Sequence, residues 1–253
     1  MKLNYRIFGD GQPMIILHGL FGSSDNWLTI GKKFAEKYSV YLLDLRNHGL
    51  SPHNDNHEYQ TMTDDLNEFI IDHGLENIIL LGHSMGGKVS MNFAINYPDK
   101  VDKLIIVDIS PKKYQHDNLL LIEAMLSLDI KAISSRDQAE KFLSEKIPDK
   151  STRLFLLKNL YRKDDLSFAW RLNLNALKQN IITIEDSAIE NIFLKKTFFL
   201  QGENSKYITD SDYPLIKKLF PNSIIKKISG AGHWLHAEKP EIVFNEINMF
   251  LQN

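Results

Sequence analysis

The sequence contains no cysteine. That absence excludes disulfides, a thiolate nucleophile and every metal site built on sulfur ligands. A charge excess of one sign is also missing. Thirty Lys and Arg stand against 32 Asp and Glu in 253 residues, a net charge of −2. So even a balance offers no polycationic face, and no nucleic-acid partner is expected. No apolar run approaches the roughly 20 residues of a membrane-spanning helix, so no membrane span is expected either. The opening stretch "MKLNYRIFGDGQPMIIL" reads as a strand, a Gly-rich turn and a second strand. A secretory leader would instead have a basic start, one apolar core and a small-residue cleavage site. The expectation is a soluble, cytoplasmic protein.

What is present is a repeated pattern. Short apolar runs recur at 14–18, 40–45, 78–83, 104–109, 197–202 and 223–228, and unbroken runs of this length suit strands buried on both faces of a parallel sheet. Amphipathic stretches lie between them. One covers 59–73, with Met62, Leu66, Phe69 and Ile70 at helical spacing; another covers 86–97 and is closed by Pro98. Strands alternating with helices predict an α/β fold with a doubly wound, mostly parallel sheet.

The alternation stops once. Residues 111–190 contain no convincing strand but show helical patterns at 117–128, 136–146, 151–161 and 166–178. A block this long exceeds one crossover and reads as a helical cap over a cleft, with 1–110 and 191–253 forming the core. Its acidic and basic residues nearly cancel, so it is not read as a binder of polyanions. Leu119, Ile122, Met125 and Phe155 are expected to line an acyl pocket beneath it.

The strand at 78–83 runs into "GHSMGG", a G-x-S-x-G motif between a strand and a helix. The physics of that turn explains its composition. The serine sits on a sharp, strained elbow, and side chains at i−2 and i+2 would collide with neighbouring backbone. Ser84 is therefore the candidate nucleophile. The helix after it aims N–H groups toward developing negative charge. "LHGLFGSSDNW" at 17–27 ends another buried strand, where a His-Gly turn can direct a backbone N–H across the cleft. The backbone N–H groups of Leu20 and Met85 are the candidate oxyanion hole. "SGAGHWLHAEKPEIV" at 229–243 follows the last strand and carries the candidate base, His233. His18 and His236 are read as structural.

With these pieces in order, the chain resembles the α/β-hydrolase superfamily along essentially its whole length. "HGLFGSSDNW", "DLRNHGLSPH", "GHSMGGK", "VDISP" and "GAGHWLHAEKP" are together similar to the small bacterial YbfF-type acyl esterases. That group is in turn similar to pimeloyl-carrier methyl-ester esterases and to the lyase of menaquinone synthesis. The resemblance implies nucleophile Ser84 and base His233, and a cap placed between strands six and seven of the family's sheet.

The acid is less direct. Much of the superfamily carries it in a G-x-x-D pattern after the next-to-last strand, but here that stretch reads Gly202-Glu203-Asn204-Ser205. Ser205 occupies the aspartate position. The candidates are Asp108 in "LIIVDISP", Glu203 in the expected loop but two positions early, and Asp210 or Asp212 if that loop folds back. The acid must be ionised, shielded and fixed, which favours the carboxylate leaving a buried strand. The resemblance also implies Asp108, and the order Ser84, Asp108, His233 follows the superfamily's Ser-Asp/Glu-His order.

His48, His53 and His57 lie near Asp44 and Asp55, but their spacing matches no metal-ligand pattern and no metal is expected. The glycine turns fit neither a phosphate-binding loop nor a dinucleotide fingerprint, so no cofactor is expected. The leading expectation is a serine esterase or acyl-thioesterase acting on small-molecule acyl esters or thioesters of short to medium chain. The alternatives are a lyase or other non-hydrolytic enzyme on the same three residues, and a binding module without chemistry. The sequence leaves the natural substrate and the oligomeric state open.

Overall fold

A computed structural model describes residues 1–114 and 118–252. The N-terminal segment and the apolar runs form β1 (Tyr5–Phe8), β2 (Gln12–Leu17), β3 (Tyr38–Leu43), β4 (Ile78–His83), β5 (Val101–Val107), β8 (Thr197–Gly202) and β9 (Ser223–Ile228). They make one seven-stranded sheet in the order β1-β3-β2-β4-β5-β8-β9. β1 is antiparallel to β3, and the other pairings are parallel.

Side chains along each central strand alternate between two separate cores. Ile15, Leu17, Ile78, Leu80, Leu104 and Ile106 face one core, whereas Met14, Ile16, Ile79, Leu81, Ile105 and Val107 face the other. Both faces are apolar, and for that reason the strands read as unbroken runs instead of alternating ones. Helices α2 (Tyr59–Asp72) and α3 (Met85–Asn96) pack on the first face. Helix α1 (Leu28–Phe34) and the helix at Pro240–Gln252 cover the second through Ile30, Phe34, Val243 and Ile247.

Register sets the position of the loops. Leu17 pairs with Gly82, His83 with Val107, and Val107 with Leu200. The carboxyl ends of four neighbouring strands therefore finish nearly side by side. In an open parallel sheet that edge is where ligands bind.

The insertion lies between β5 and β8, the fifth and sixth strands of this chain's large sheet. It holds α4 (Asn118–Ser127), α5 (Arg136–Ser144), α6 (Lys150–Leu157) and α7 (Leu174–Asp186). Position 117 of the expected first helix lies outside the described residues. Side-chain caps start three of the four: Ser135, Asp149 and Asn173 accept from the N–H groups of Gln138, Thr152 and Ala176. Contrary to the expectation from sequence, the block is not wholly helical. Where helices were expected over 151–161 and 166–178, α6 stops at Leu157. A hairpin of β6 (Leu160–Arg162) and β7 (Phe168–Trp170) follows, and α7 begins only at Leu174. The cause is local. β-forming aromatics Tyr161, Phe168 and Trp170 flank "KDDLS", and that turn closes with Lys163 N–H donating to Ser167 O at 2.8 Å and Leu166 at φ +67°. Three-residue strands are too short to show a period.

Candidate active site

Ser84 follows β4 with φ +51° and ψ −120°, a conformation that costs free energy for any residue with a side chain and is held by its surroundings. The flanking glycines permit it. A Cβ on Gly82 would stand 2.2 Å from Gly86 O, and one on Gly86 would stand 2.4 Å from His18 O. Ser84 N–H donates to Val107 O at 3.0 Å, which ties the elbow to the end of β5.

The structure brings Ser84, His233 and Asp108 together. Ser84 Oγ lies 3.1 Å from His233 Nε2, and His233 Nδ1 lies 2.7 Å from Asp108 Oδ2. Asp108 is completely buried, sits one residue past β5 at φ +51°, and donates its N–H to Leu200 O at 2.8 Å. With the carboxylate on Nδ1, the ring presents Nε2 to the serine.

The other carboxylates face elsewhere. Exposed Glu203 accepts from Ser229 Oγ at 2.9 Å and from Gly230 N–H at 2.7 Å, and these bonds hold its carboxyl below the usual range. Asp210 pairs with Lys227 at 2.9 Å and Asp212 with Lys112 at 2.7 Å.

Leu20 and Met85 both line the cleft above Ser84. In the loop after β2, the Phe21 N–H is taken by His48 Nε2 and the Gly22 N–H by Gly19 O. Among the described residues, the Leu20 and Met85 N–H groups have no protein acceptor, and Met85 opens α3, so its N–H adds to the positive end of that helix.

Other histidines of the described residues serve the scaffold. His18 Nε2 accepts from Leu45 N–H at 3.0 Å while its Nδ1–H donates to Gly19 O at 2.8 Å. His48 Nδ1–H donates to Arg46 O at 2.9 Å, exposed His53 pairs with Arg171 O, and buried His57 lies by Asn47. His236 stacks on Trp27 with centroids 4.4 Å apart and planes 10° apart. Burial pushes His57 and His236 down to about 3 and keeps both neutral.

Several neighbours of the site were missed from the sequence. His83, the variable residue inside the elbow motif, donates Nε2–H to His233 O at 2.9 Å and so holds the histidine loop. Tyr207 stacks on the His233 ring at 3.7 Å and 16°. Ser205 Oγ donates to Asp108 Oδ2. Buried Lys88 of α3 donates Nζ–H bonds to Lys112 O at 2.6 Å and to Ser187 O, joining the two roots of the insertion. Burial lowers its ammonium to about 8. His83 fills the motif's "x" position, Lys88 follows the motif on α3 and Ser205 stands in the usual aspartate position, but no local signal gave their contacts.

The cleft has a volume of about 410 Å³. Leu121, Ile147, Phe155, Leu156 and Ile184 form its wall on the insertion side. Of the four residues expected there, only Phe155 takes part. Ile122 and Met125 are fully buried and Leu119 packs against the same core. Asn118 and Leu121 in the first turn of α4 reach the cleft, whereas Ile122 and Met125 further along it are packed into the core, and α4 contacts α7. Among the described residues, no helix is long and apolar enough to cross a membrane.

A family model for the alpha/beta hydrolase fold matches residues 12–240. The whole chain is 38% identical to the sn-1-specific diacylglycerol lipase ABHD11 of Danio rerio, covering 83% of that protein. It is 30% identical to esterase YbfF of Escherichia coli, with both chains covered completely. Among solved structures, a marine microorganism esterase superposes with a TM-score of 0.95 at 43% identity, covering 98% of this chain and 99% of that one.

Proposed function

This chain belongs to the α/β hydrolase family, and from that premise we propose a serine carboxylic-ester hydrolase that works through an acyl-enzyme on Ser84. It is an enzyme of the hydrolase class; the nucleophile, the relay and the substrate are our reading. One observation carries it: a continuous hydrogen-bond chain from Ser84 Oγ through His233 to buried Asp108 opens into an apolar cleft.

Ser84 Oγ attacks the ester carbonyl carbon and passes its proton to His233 Nε2. Asp108 offsets the charge of the imidazolium. The carbonyl oxygen becomes an oxyanion within reach of the Leu20 and Met85 N–H groups, and each such donor contributes on the order of 10² to 10³ in rate. Collapse of the tetrahedral intermediate breaks the bond to the leaving oxygen, which takes the proton from His233 and departs as an alcohol. Water then repeats the sequence in reverse, with His233 as base, and releases the acid and free Ser84.

Residues 111–190 act in this reading as a cap whose apolar wall holds the acyl chain. The cleft's volume falls within the usual span for small-molecule sites, about 300 to 1,000 Å³. Relatives named as a diacylglycerol lipase and as esterases support oxygen esters as substrates, and the size of the apolar cleft favours short to medium acyl groups. An acyl thioester would meet the same nucleophile, with a thiol as leaving group. The test combines fluorophosphonate labelling, read by mass spectrometry, with matched series of p-nitrophenyl esters and acyl thioesters. Labelling on Ser84 with turnover that depends on chain length supports the proposal; labelling elsewhere removes it.

A further inference from the structure

We infer that Asn159, in the insertion, is a positioning residue for the oxyanion hole. Its side chain holds the loop that aims the Leu20 N–H, which makes the cap a working part of the catalytic centre as well as its wall. The inference rests on the oxyanion role proposed for Leu20 above.

A peptide unit is planar, so the direction of the Leu20 N–H is fixed by the Gly19 carbonyl on the same unit. Gly19 O accepts from His18 Nδ1–H at 2.8 Å and from Gly22 N–H at 2.9 Å. The second bond closes a turn over residues 19–22, in which Phe21 stands third at φ +62°. Glycine or asparagine is usual at such a place, and a side chain as bulky as phenylalanine stays there only when its surroundings hold it. The turn also packs against the elbow: a Cβ on Gly19 would lie 2.8 Å from His83 Nδ1 and 3.1 Å from Ser84 Cβ.

Phe21 is held on both backbone polar groups, each by a side chain from a different segment. Its N–H donates to His48 Nε2 at 3.2 Å, and its carbonyl accepts from Asn159 Nδ2 at 2.8 Å across 138 residues of chain. Phe21, His48 and Asn159 are all buried, so removing either side chain would leave a buried backbone group without its partner. Asn159 lies between α6 and β6 and is itself fixed. Its N–H donates to Leu156 O at 3.0 Å, and its carbonyl accepts from Arg171 N–H at 2.9 Å. The other arm of the clamp leads back to the insertion as well, because Asn173 N–H donates to Asn47 O, next to His48, at 3.1 Å. Among the described residues, those lining the cleft do not include Asn159, so it acts through Phe21. Without that anchor Phe21 can leave its positive φ, the 19–22 turn opens, and the Gly19–Leu20 peptide swings its N–H away from the carbonyl oxygen of the substrate.

The experiment uses the full-length enzyme with p-nitrophenyl acetate and p-nitrophenyl octanoate, and rates are expressed per site titrated with a fluorophosphonate. Asn159→Ala is expected to lower kcat on the order of tenfold to a hundredfold on both esters, with KM within about twofold. An equal loss on the two esters separates orientation of the hole from contact with the acyl chain, which acetate would escape. In a second protein the hydroxy-acid analogue of leucine at position 20 puts an ester oxygen where the N–H stood. There, adding Asn159→Ala changes kcat by less than about twofold, because nothing remains to orient. Should Asn159→Ala be unstable, Asn159→Leu keeps the bulk without the donor and is expected to show the same loss. The inference is overturned if Asn159→Ala retains kcat, if its effect falls on KM alone or on octanoate alone, or if it costs the same factor with the ester in place. If the ester by itself leaves kcat intact, the oxyanion role of Leu20 fails and takes the inference with it, a result distinct from failure of the Asn159 link alone.

Discussion

His233 Nδ1 meets Asp108 Oδ2 at 2.7 Å across 125 residues of chain, while Glu203, in the loop where the superfamily's acid is usual, turns to Ser229 and Gly230. Asp108→Asn should therefore lower kcat by two orders of magnitude or more; the equivalent change in a serine protease costs about 10⁴. Glu203→Gln should remain within several-fold of the parent enzyme. Steady-state kinetics on a p-nitrophenyl ester decide it, and the reverse ranking would move the acid to Glu203.

Ser84→Ala should lower kcat by about 10⁴ to 10⁶ and abolish fluorophosphonate labelling while leaving the melting transition intact. A folded, purified variant with more than a few per cent of parent activity would show that another group attacks the carbonyl.

The wall of the cleft should measure acyl length. Leu121→Trp adds bulk on the insertion side, so decanoate and dodecanoate esters should lose rate while acetate esters change little. Equal rates for chains of two and twelve carbons in the parent enzyme would contradict a length-measuring cleft.

Buried histidines should make the protein acid-sensitive. His57 and His236 have their pKa pushed down to about 3 by burial, whereas the unfolded chain takes up these protons near 6.5. Between those values the unfolded state binds more protons, so stability is fully present above about pH 6.5 and is lost as pH falls. From pH 7.5 to 5.0 each contributes a loss of about 2 kcal/mol. Urea midpoints that stay level over that range would argue that these rings are protonated in the native state.

Lys88 has the opposite end of the pH scale. Its ammonium is lowered to about 8 by burial, below the unfolded value near 10.4, so the unfolded state holds more protons between these limits and stability rises with pH through them. Relative to Lys88→Met, the parent protein should gain about 2 kcal/mol between pH 8 and pH 10. Urea unfolding of both proteins at the two pH values supplies the comparison, in which an unchanged difference would mean that Lys88 stays charged at little cost.

The sequence by itself determined what is decided over a few neighbouring residues. Unbroken apolar runs mark strands with a core on each face. The elbow is legible because Gly82 and Gly86 answer to contacts at a strand-to-helix turn. Even so, the β6–β7 hairpin was missed, since three-residue strands carry no readable period, and Leu119, Ile122 and Met125 do not line the cleft they were expected to line. Helical spacing tells which residues share a face but not which neighbour that face meets. Asp108 was preferred to Glu203 from its place at the end of an apolar run and from the family resemblance, but its contact with His233 Nδ1 depends on how the strands pack. Tertiary structure alone decided that Ser205 touches Asp108, that Tyr207 stacks on His233, that His83 supports the His233 backbone and that Lys88 joins both roots of the insertion. Each of these contacts joins segments far apart in sequence, and their approach is fixed by strand register and core packing, quantities to which no local stretch of chain is sensitive.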